Sequence, residues 1–411
     1  MPKQMLRSLG GLLVALAVIV LPARAGTTKL IYSFTGGAGG EYPDTELVMD
    51  ASSNLYGTTV QGGQFGSGTV FQLTPSSSGW IHKVLYDFQG GADGGEPYKG
   101  VTLDAHGDLY GTTVAGGLQV GPCIDTGCGV VYKLTKSGQS WKQSIIHSFV
   151  GGSDGYGPGS RVTLDGVGNV YGTTPTGGTQ GAGVVYQLQP ATTGAWTERV
   201  IHTFTGGADG SGGSAGRLVL TRAGNVYGVC TTGGAFAAGT VFKLTPTPAG
   251  EWYEITLYSF KGEPDSGFPY GAIVSDQNGN LYGTTYYAGA HDRGSVYRLS
   301  RRNGVWNESW IYSFHGGTDG SGPISTLVAD AAGNLYGTTS AGGAGCNCGT
   351  IFKLTPNDTG ATYGVVYRFQ GPPDGASPYD GMAADSSGSI LYGATVNGGT
   401  GGDGAIYQFT P

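Results

Sequence analysis

The chain has 411 residues, of which 81 are glycine and only 12% are charged, and 21 Lys and Arg against 28 Asp and Glu leave a formal charge of −7. An acidic chain with no basic stretch excludes a nucleic-acid partner, which requires a positive face. The glycines follow no three-residue period, which excludes collagen, and recurring Tyr, Phe and Leu exclude a disordered chain.

At the N-terminus, Lys3 and Arg7 precede an apolar run over 9–21 and the small-residue pattern Ala23-Arg24-Ala25. This is the order of a secretory signal peptide over 1–25, with cleavage expected before Gly26. The run is too short to span a bilayer, which takes about 20 residues. A secreted or periplasmic protein is therefore predicted, with no membrane span after cleavage and no C-terminal anchor. Residues 26–411 exceed the roughly 250–300 at which a single core stops growing, so a repeat array is expected.

Three elements then recur seven times at a spacing of roughly 55 residues. A Tyr-Ser-Phe type ends at Phe34, Phe88, Phe149, Phe204, Phe260, Phe314 and Phe369. A Tyr-Gly-Thr type places its Tyr at 56, 110, 171, 227, 282, 336 and 392, and a Val-Phe-Gln-Leu type its aromatic at 71, 132, 186, 242, 297, 352 and 407. In the second unit these read as strand A over 101–104, B over 108–113, C over 130–134 and D over 141–149. Gly107 supplies the positive φ of the A-to-B hairpin. Trp80, Trp141, Trp196, Trp252, Trp306 or Tyr363 opens strand D and gives the outer strand something to pack.

Four-stranded antiparallel units of this length predict an all-β, seven-bladed β-propeller as a single repeat domain over 26–411. The chain begins with a D-type strand (29–34) and finishes with a C-type strand (405–409), so both ends complete one blade. A closed array has no exposed ends to stack further, and a monomer is predicted. An open solenoid would have turns of only 20–30 residues. The cycle Asp-x-x-Gly-Asn-Leu-Tyr-Gly-Thr-Thr, Gly-Gly, Gly-Thr-Val-Phe-Lys-Leu, Leu-Tyr-Ser-Phe and Gly-Gly-x-Asp-Gly over about 28–411 resembles the bacterial GloVer tandem-repeat proteins. The resemblance implies an exported, propeller-like protein and carries no catalytic residues with it.

A residue found in every blade serves architecture, because a single site must break the symmetry. The Gly-x-Ser-x-Gly match at 151–155 is one copy of a repeated D-to-A turn. That turn carries Asp93, Asp154, Asp209, Asp265, Asp319 and Asp374. Six acids on one face have the oxygen chemistry of a Ca²⁺ site, but an Asp before Gly more often closes its own turn, and turn capping is the expectation. In an oxidising compartment Cys123 and Cys128 predict a disulfide across an inserted loop, and Cys346 with Cys348 is a second possible pair. Cys230 is left as a buried small residue. Zinc is not expected, since no Cys-x-x-Cys stands with His partners.

Symmetry fails in two places. The fifth unit replaces its Gly-Gly loop by residues 286–293, with Tyr286, Tyr287, His291, Asp292 and Arg293. The start of strand A varies as Glu46, Gly100, Arg161, Arg217, Ala272, Thr326 and Gly381. Arg161 and Arg217 fall at equivalent places in adjacent blades, where their planar forks suit one ligand carboxylate or phosphate or a neighbouring acid. Tyr98, Tyr270 and Tyr379, each after a proline, have rings suited to sugars or to blade packing. These features predict a binding or scaffold module for a glycan or a surface protein. The alternative is a lyase or hydrolase of acidic polysaccharide, with Arg161 and Arg217 on a uronate and His291 or Tyr286 moving a proton.

Overall fold

Six of the seven units are organised first by one carboxylate, and the fourth by the Thr221 hydroxyl. In the second blade, strands Val101–Leu103 and Leu109–Thr113 meet across a turn in which Asp104 Oδ1 accepts the amides of His106 and Asp108 at 2.8 and 2.9 Å. Asp104 Oδ2 accepts the Tyr110 hydroxyl, so the Tyr of the Tyr-Gly-Thr motif ties the hairpin to strand B. Asp50, Asp165, Asp276 and Asp330 bind Tyr56, Tyr171, Tyr282 and Tyr336 in the same way.

The next residue of the motif is glycine for a steric reason. Gly57 lies directly opposite Phe71 on strand C, and a Cβ there would come within 2.7 Å of Phe71 Cζ. Gly111, Gly172, Gly228, Gly283, Gly337 and Gly393 sit under Tyr132, Tyr186, Phe242, Tyr297, Phe352 and Tyr407 in the same register. The ring of strand C therefore lies flat across strand B.

The computed structural model describes residues 26–213, 216–343, 345–357 and 360–411; the expected signal peptide lies outside them. They form seven antiparallel sheets arranged as a seven-bladed β-propeller, as the repeat count predicts. Blade seven is completed by both chain ends: Thr27–Ser33 pairs with Ala405–Thr410, with Thr27 opposite Thr410. Strands B, C and D agree with expectation, while strand A is short, two residues in most blades. A bulge shifts every C-to-D pairing at the same place, as between Val70 and Phe71. It leaves Leu85, Ile146, Ile201 and Ile311 as extra, buried residues between blades.

Blades are joined by a repeated aromatic contact. The final Phe of each strand D is fully buried and meets the strand C ring of the next blade edge to face, at 4.9–5.3 Å between centroids. The circle closes through Phe34 of blade seven and Phe71 of blade one. Outside it, Trp80, Trp141, Trp196 and Trp252 pack on Tyr392, Tyr56, Tyr110 and Tyr171 of the preceding blade.

Two predictions follow from this packing. Phe204→Ala should lower the unfolding free energy by about 3–5 kcal/mol. Tyr186→Phe should cost nothing or stabilise the fold, because its hydroxyl is buried without a partner. Urea denaturation of both variants measures the contrast. Burial between blades also pushes Glu254 and Glu308 up to about 7. Their stabilisation is complete below the unfolded value near 4.5 and is lost as pH rises through 7, because the folded state holds the proton more tightly. The melting temperature of Glu308→Gln relative to the parent should therefore rise between pH 5 and pH 7.5.

Candidate functional site

The seven A strands surround the propeller axis, so the variable residue at the start of each points toward a shared channel. Gly100, Ala272 and Gly381 are small there, and the long side chains of blades one, three and four meet across the space. Arg217 Nε donates to Glu46 Oε1 at 3.2 Å, and Arg161 Nη1 lies 3.4 Å from the same oxygen. Arg161 Nε also donates to Thr102 Oγ1 at 3.1 Å. Burial would raise the Glu46 carboxyl, but Arg161 and Arg217 hold it below its usual range. The two arginines do converge on one carboxylate, and that carboxylate belongs to the protein.

A second cluster adjoins the first, toward the face that carries the B-to-C and D-to-A connections. Lys99 Nζ bridges Asp44 Oδ1 at 2.7 Å and Asp380 Oδ1 at 3.0 Å. Asp380 Oδ2 is buried and receives no N–H or O–H donor; its neighbour is the Asp44 carboxyl. Burial, together with Asp44, raises Asp380 well above the carboxylate range, whereas Lys99 keeps Asp44 below it despite burial. The two acids thus share one proton beside the ammonium group. Asp44, Lys99 and Asp380 lie one or two residues before the variable position, so the signal was a charge where other units have Gly, Ser or Tyr.

These six side chains form a plug whose internal cavity is about 10 Å³, near the space of one water. It separates two mouths. On the loop face is a bowl of about 580 Å³ with Tyr98, Tyr270, Asp44, Lys99 and Ser160 in its lining. On the hairpin face is a dish of about 430 Å³, floored by Glu46, Arg161 and Arg217 and walled by Met49, Val274 and Val328.

The irregular fifth-unit segment divides between two places. Tyr286 and Tyr287 are not loop residues but prolong strand B, Leu281–Ala288, and pair with an added strand Ser266–Pro269. Aromatic side chains favour this extended backbone. Tyr286 lies 6.2 Å from Tyr270 and 4.2 Å from Tyr287, which brings it to the axial tyrosines. His291 instead lies against His315, with ring centroids 4.1 Å apart and planes tilted by 34°, and both are exposed. Asp292 caps the local turn by accepting the Ala288 amide at 3.0 Å, and the Arg293 carbonyl accepts the Gly322 amide. Among the described residues no contact joins His291 to Arg161 or Arg217.

The D-to-A acids behave as turn caps. Asp93, Asp154, Asp209, Asp319 and Asp374 each accept the amide four residues before them. Asp93, Asp319 and Asp374 also accept Tyr86, Tyr312 and Tyr367. His147 and His202, in the Tyr slot, reach Asp154 and Asp209 instead, so the imidazoles substitute for a phenol. Asp265 departs from this pattern and faces Lys261 at 3.8 Å. Cys123 is bonded to Cys128 and Cys346 to Cys348, as expected for a protein that meets an oxidising compartment. Both disulfides pack over the equivalent turn glycines, Gly151 and Gly371. Cys230 is free and buried, and burial raises its thiol. No helix among the described residues is long and apolar enough to cross a membrane.

A ring of seven blades, closed by its own termini around an ion-paired channel, defines a β-propeller repeat protein. Within that class the chain belongs to the Gloeobacter/Verrucomicrobia repeat family, whose profile matches residues 17–121, 121–344 and 247–411; the resemblance carried by the spaced motifs holds. It is also similar to a solved structure of a protein of unknown function from Dyadobacter fermentans DSM 18053, at 12% identity over 94% of this chain and 99% of that chain, with a TM-score of 0.47. No curated protein matches the sequence.

The plug makes a direct prediction. Lys99→Met strands a buried acid pair and should cost about 3–5 kcal/mol, whereas Asp380→Asn replaces a group that already carries a proton and should cost far less. Equal losses in chemical denaturation would contradict the shared proton.

Proposed function

We propose that the protein is an exported binding module that recognises glycans through the loop-face bowl. The observation that carries this reading is the pair of half-buried tyrosines, Tyr98 and Tyr270, lining a bowl that also holds Asp44, Lys99 and Ser160, with Tyr286 beside Tyr270 at 6.2 Å and Tyr379 near Tyr286. Tyrosine rings offer flat apolar faces to the C–H faces of sugars with little loss of side-chain freedom. Asp44 on the floor is an acceptor for hydroxyl groups, and Ser160 adds a hydroxyl. These residues break the sevenfold pattern, as a single site must.

Secretion fits the N-terminal leader pattern and the two disulfides. Recognition of a surface protein would need a broader apolar patch than this bowl offers, so its natural occupant is a sugar of that surface. A lyase or hydrolase would require Arg161 and Arg217 to meet a uronate within reach of His291 or Tyr286. The arginines are part of the plug and paired with Glu46, while His291 lies against His315, which favours binding over catalysis.

A glycan array followed by calorimetry with the best oligosaccharide tests this reading. Tyr270→Ala and Tyr286→Ala should each weaken binding roughly three- to tenfold, the range of one ring contact. Phe236→Ala, on an exposed blade-four loop, should leave it unchanged. An array without binders, or binding indifferent to both tyrosines, would end the proposal.

A further inference from the structure

The hairpin-face dish differs in chemistry from the bowl above it. Its floor holds two guanidinium groups against the single carboxylate of Glu46. The acids of the upper cluster, Asp44 and Asp380, are engaged by Lys99 at 2.7 and 3.0 Å. At the mouth, two guanidinium groups therefore share one carboxylate oxygen. Arg217 is the arginine that opens toward it, with a side chain 35% exposed against 13% for Arg161. The walls are apolar: Met49, Val274, Val328 and Ala383 are half-buried around the opening, and Met382 lies behind them.

We propose that this mouth binds a small amphipathic monoanion, an alkyl or aryl carboxylate, independently of any glycan site on the opposite face. The planar carboxylate meets the donor fork of Arg217, a geometry an ammonium group does not offer. The apolar body lies against Met49, Val274 and Val328. The dish, at about 430 Å³, falls within the usual range for small-ligand sites. Thioether and aliphatic walls adapt to different chain shapes, so the predicted selectivity is for charge and apolarity, not for one molecule.

The test is calorimetry or NMR titration of the full mature chain with octanoate, with octanol and octylammonium as probes of the same apolar body. Octanoate should bind at least about tenfold tighter than octanol, and octylammonium should not bind. Arg217→Met should weaken octanoate by at least about tenfold while leaving octanol unchanged. Glu46→Gln should strengthen octanoate, because it removes the competing carboxylate. Should either variant fail to fold, Val328→Asp on the half-buried wall serves instead: it leaves the plug intact and should abolish octanoate binding by repulsion. Equal binding of octanoate and octanol, or octanoate binding unchanged in Arg217→Met or Val328→Asp, would overturn the proposal. Loss of the glycan site would not affect it.

Discussion

The edge-to-face contact between the last Phe of one blade and the strand C ring of the next is the constraint on which the structure depends. Each such contact contributes about 0.5–1.5 kcal/mol beyond the area it buries, and it recurs seven times around the circle. It dictates the residues beside it. The ring can lie across strand B only over a glycine, so Tyr-Gly-Thr is required. The bulge in strand D offsets that strand by one residue and adds the buried Leu85, Ile146, Ile201 and Ile311. In five blades the Asp that closes the hairpin holds the tyrosine six residues after it, and Tyr56, Tyr110 and Tyr171 in turn support the next blade's tryptophan. What reads as a loose, glycine-rich sequence is a set of positions where a neighbouring ring or backbone leaves no room for a Cβ.

That symmetry makes the axis available for something else. Seven equal blades would place seven equal residues around the channel, but the actual set is one acid, two arginines, one threonine and three small residues, with Asp44, Lys99 and Asp380 just before them. Asp380 of blade seven, Lys99 of blade two and Asp44 of blade one meet there, across 281 residues of sequence in the case of Lys99 and Asp380. The plug therefore exists only because the chain ends close the ring. It also divides the channel into two mouths of opposite character: one aromatic with a polar floor, the other apolar with a cationic floor.

Much of this architecture was legible in the sequence, because repetition is a one-dimensional signal. Blade number, strand order, closure by the termini, the Cys123 to Cys128 bond and the turn role of the Asp-Gly acids all follow from residues at fixed offsets. The bulge was not legible, since it depends on which partner a residue faces and not on its type. Tyr286 and Tyr287 were read as loop because the missing Gly-Gly pair looked like an interruption, whereas two adjacent aromatics prolonged the strand. The plug lay furthest from view. Arg161 and Arg217 stood out as variable residues, but their partner Glu46 is in another blade, and Asp44, Lys99 and Asp380 occupy a neighbouring position whose convergence on the axis appears only in three dimensions.

Closure of the ring is the central claim, because both mouths and the plug are assembled by it. A double-mutant cycle between Phe34 and Phe71, each replaced by Leu, tests it most directly. The account predicts a coupling of about 0.5–1.5 kcal/mol, equal to that measured for the internal pair Phe204 and Phe242. Additive losses at Phe34 and Phe71, within about 0.3–0.5 kcal/mol, alongside a coupled internal pair, would contradict it.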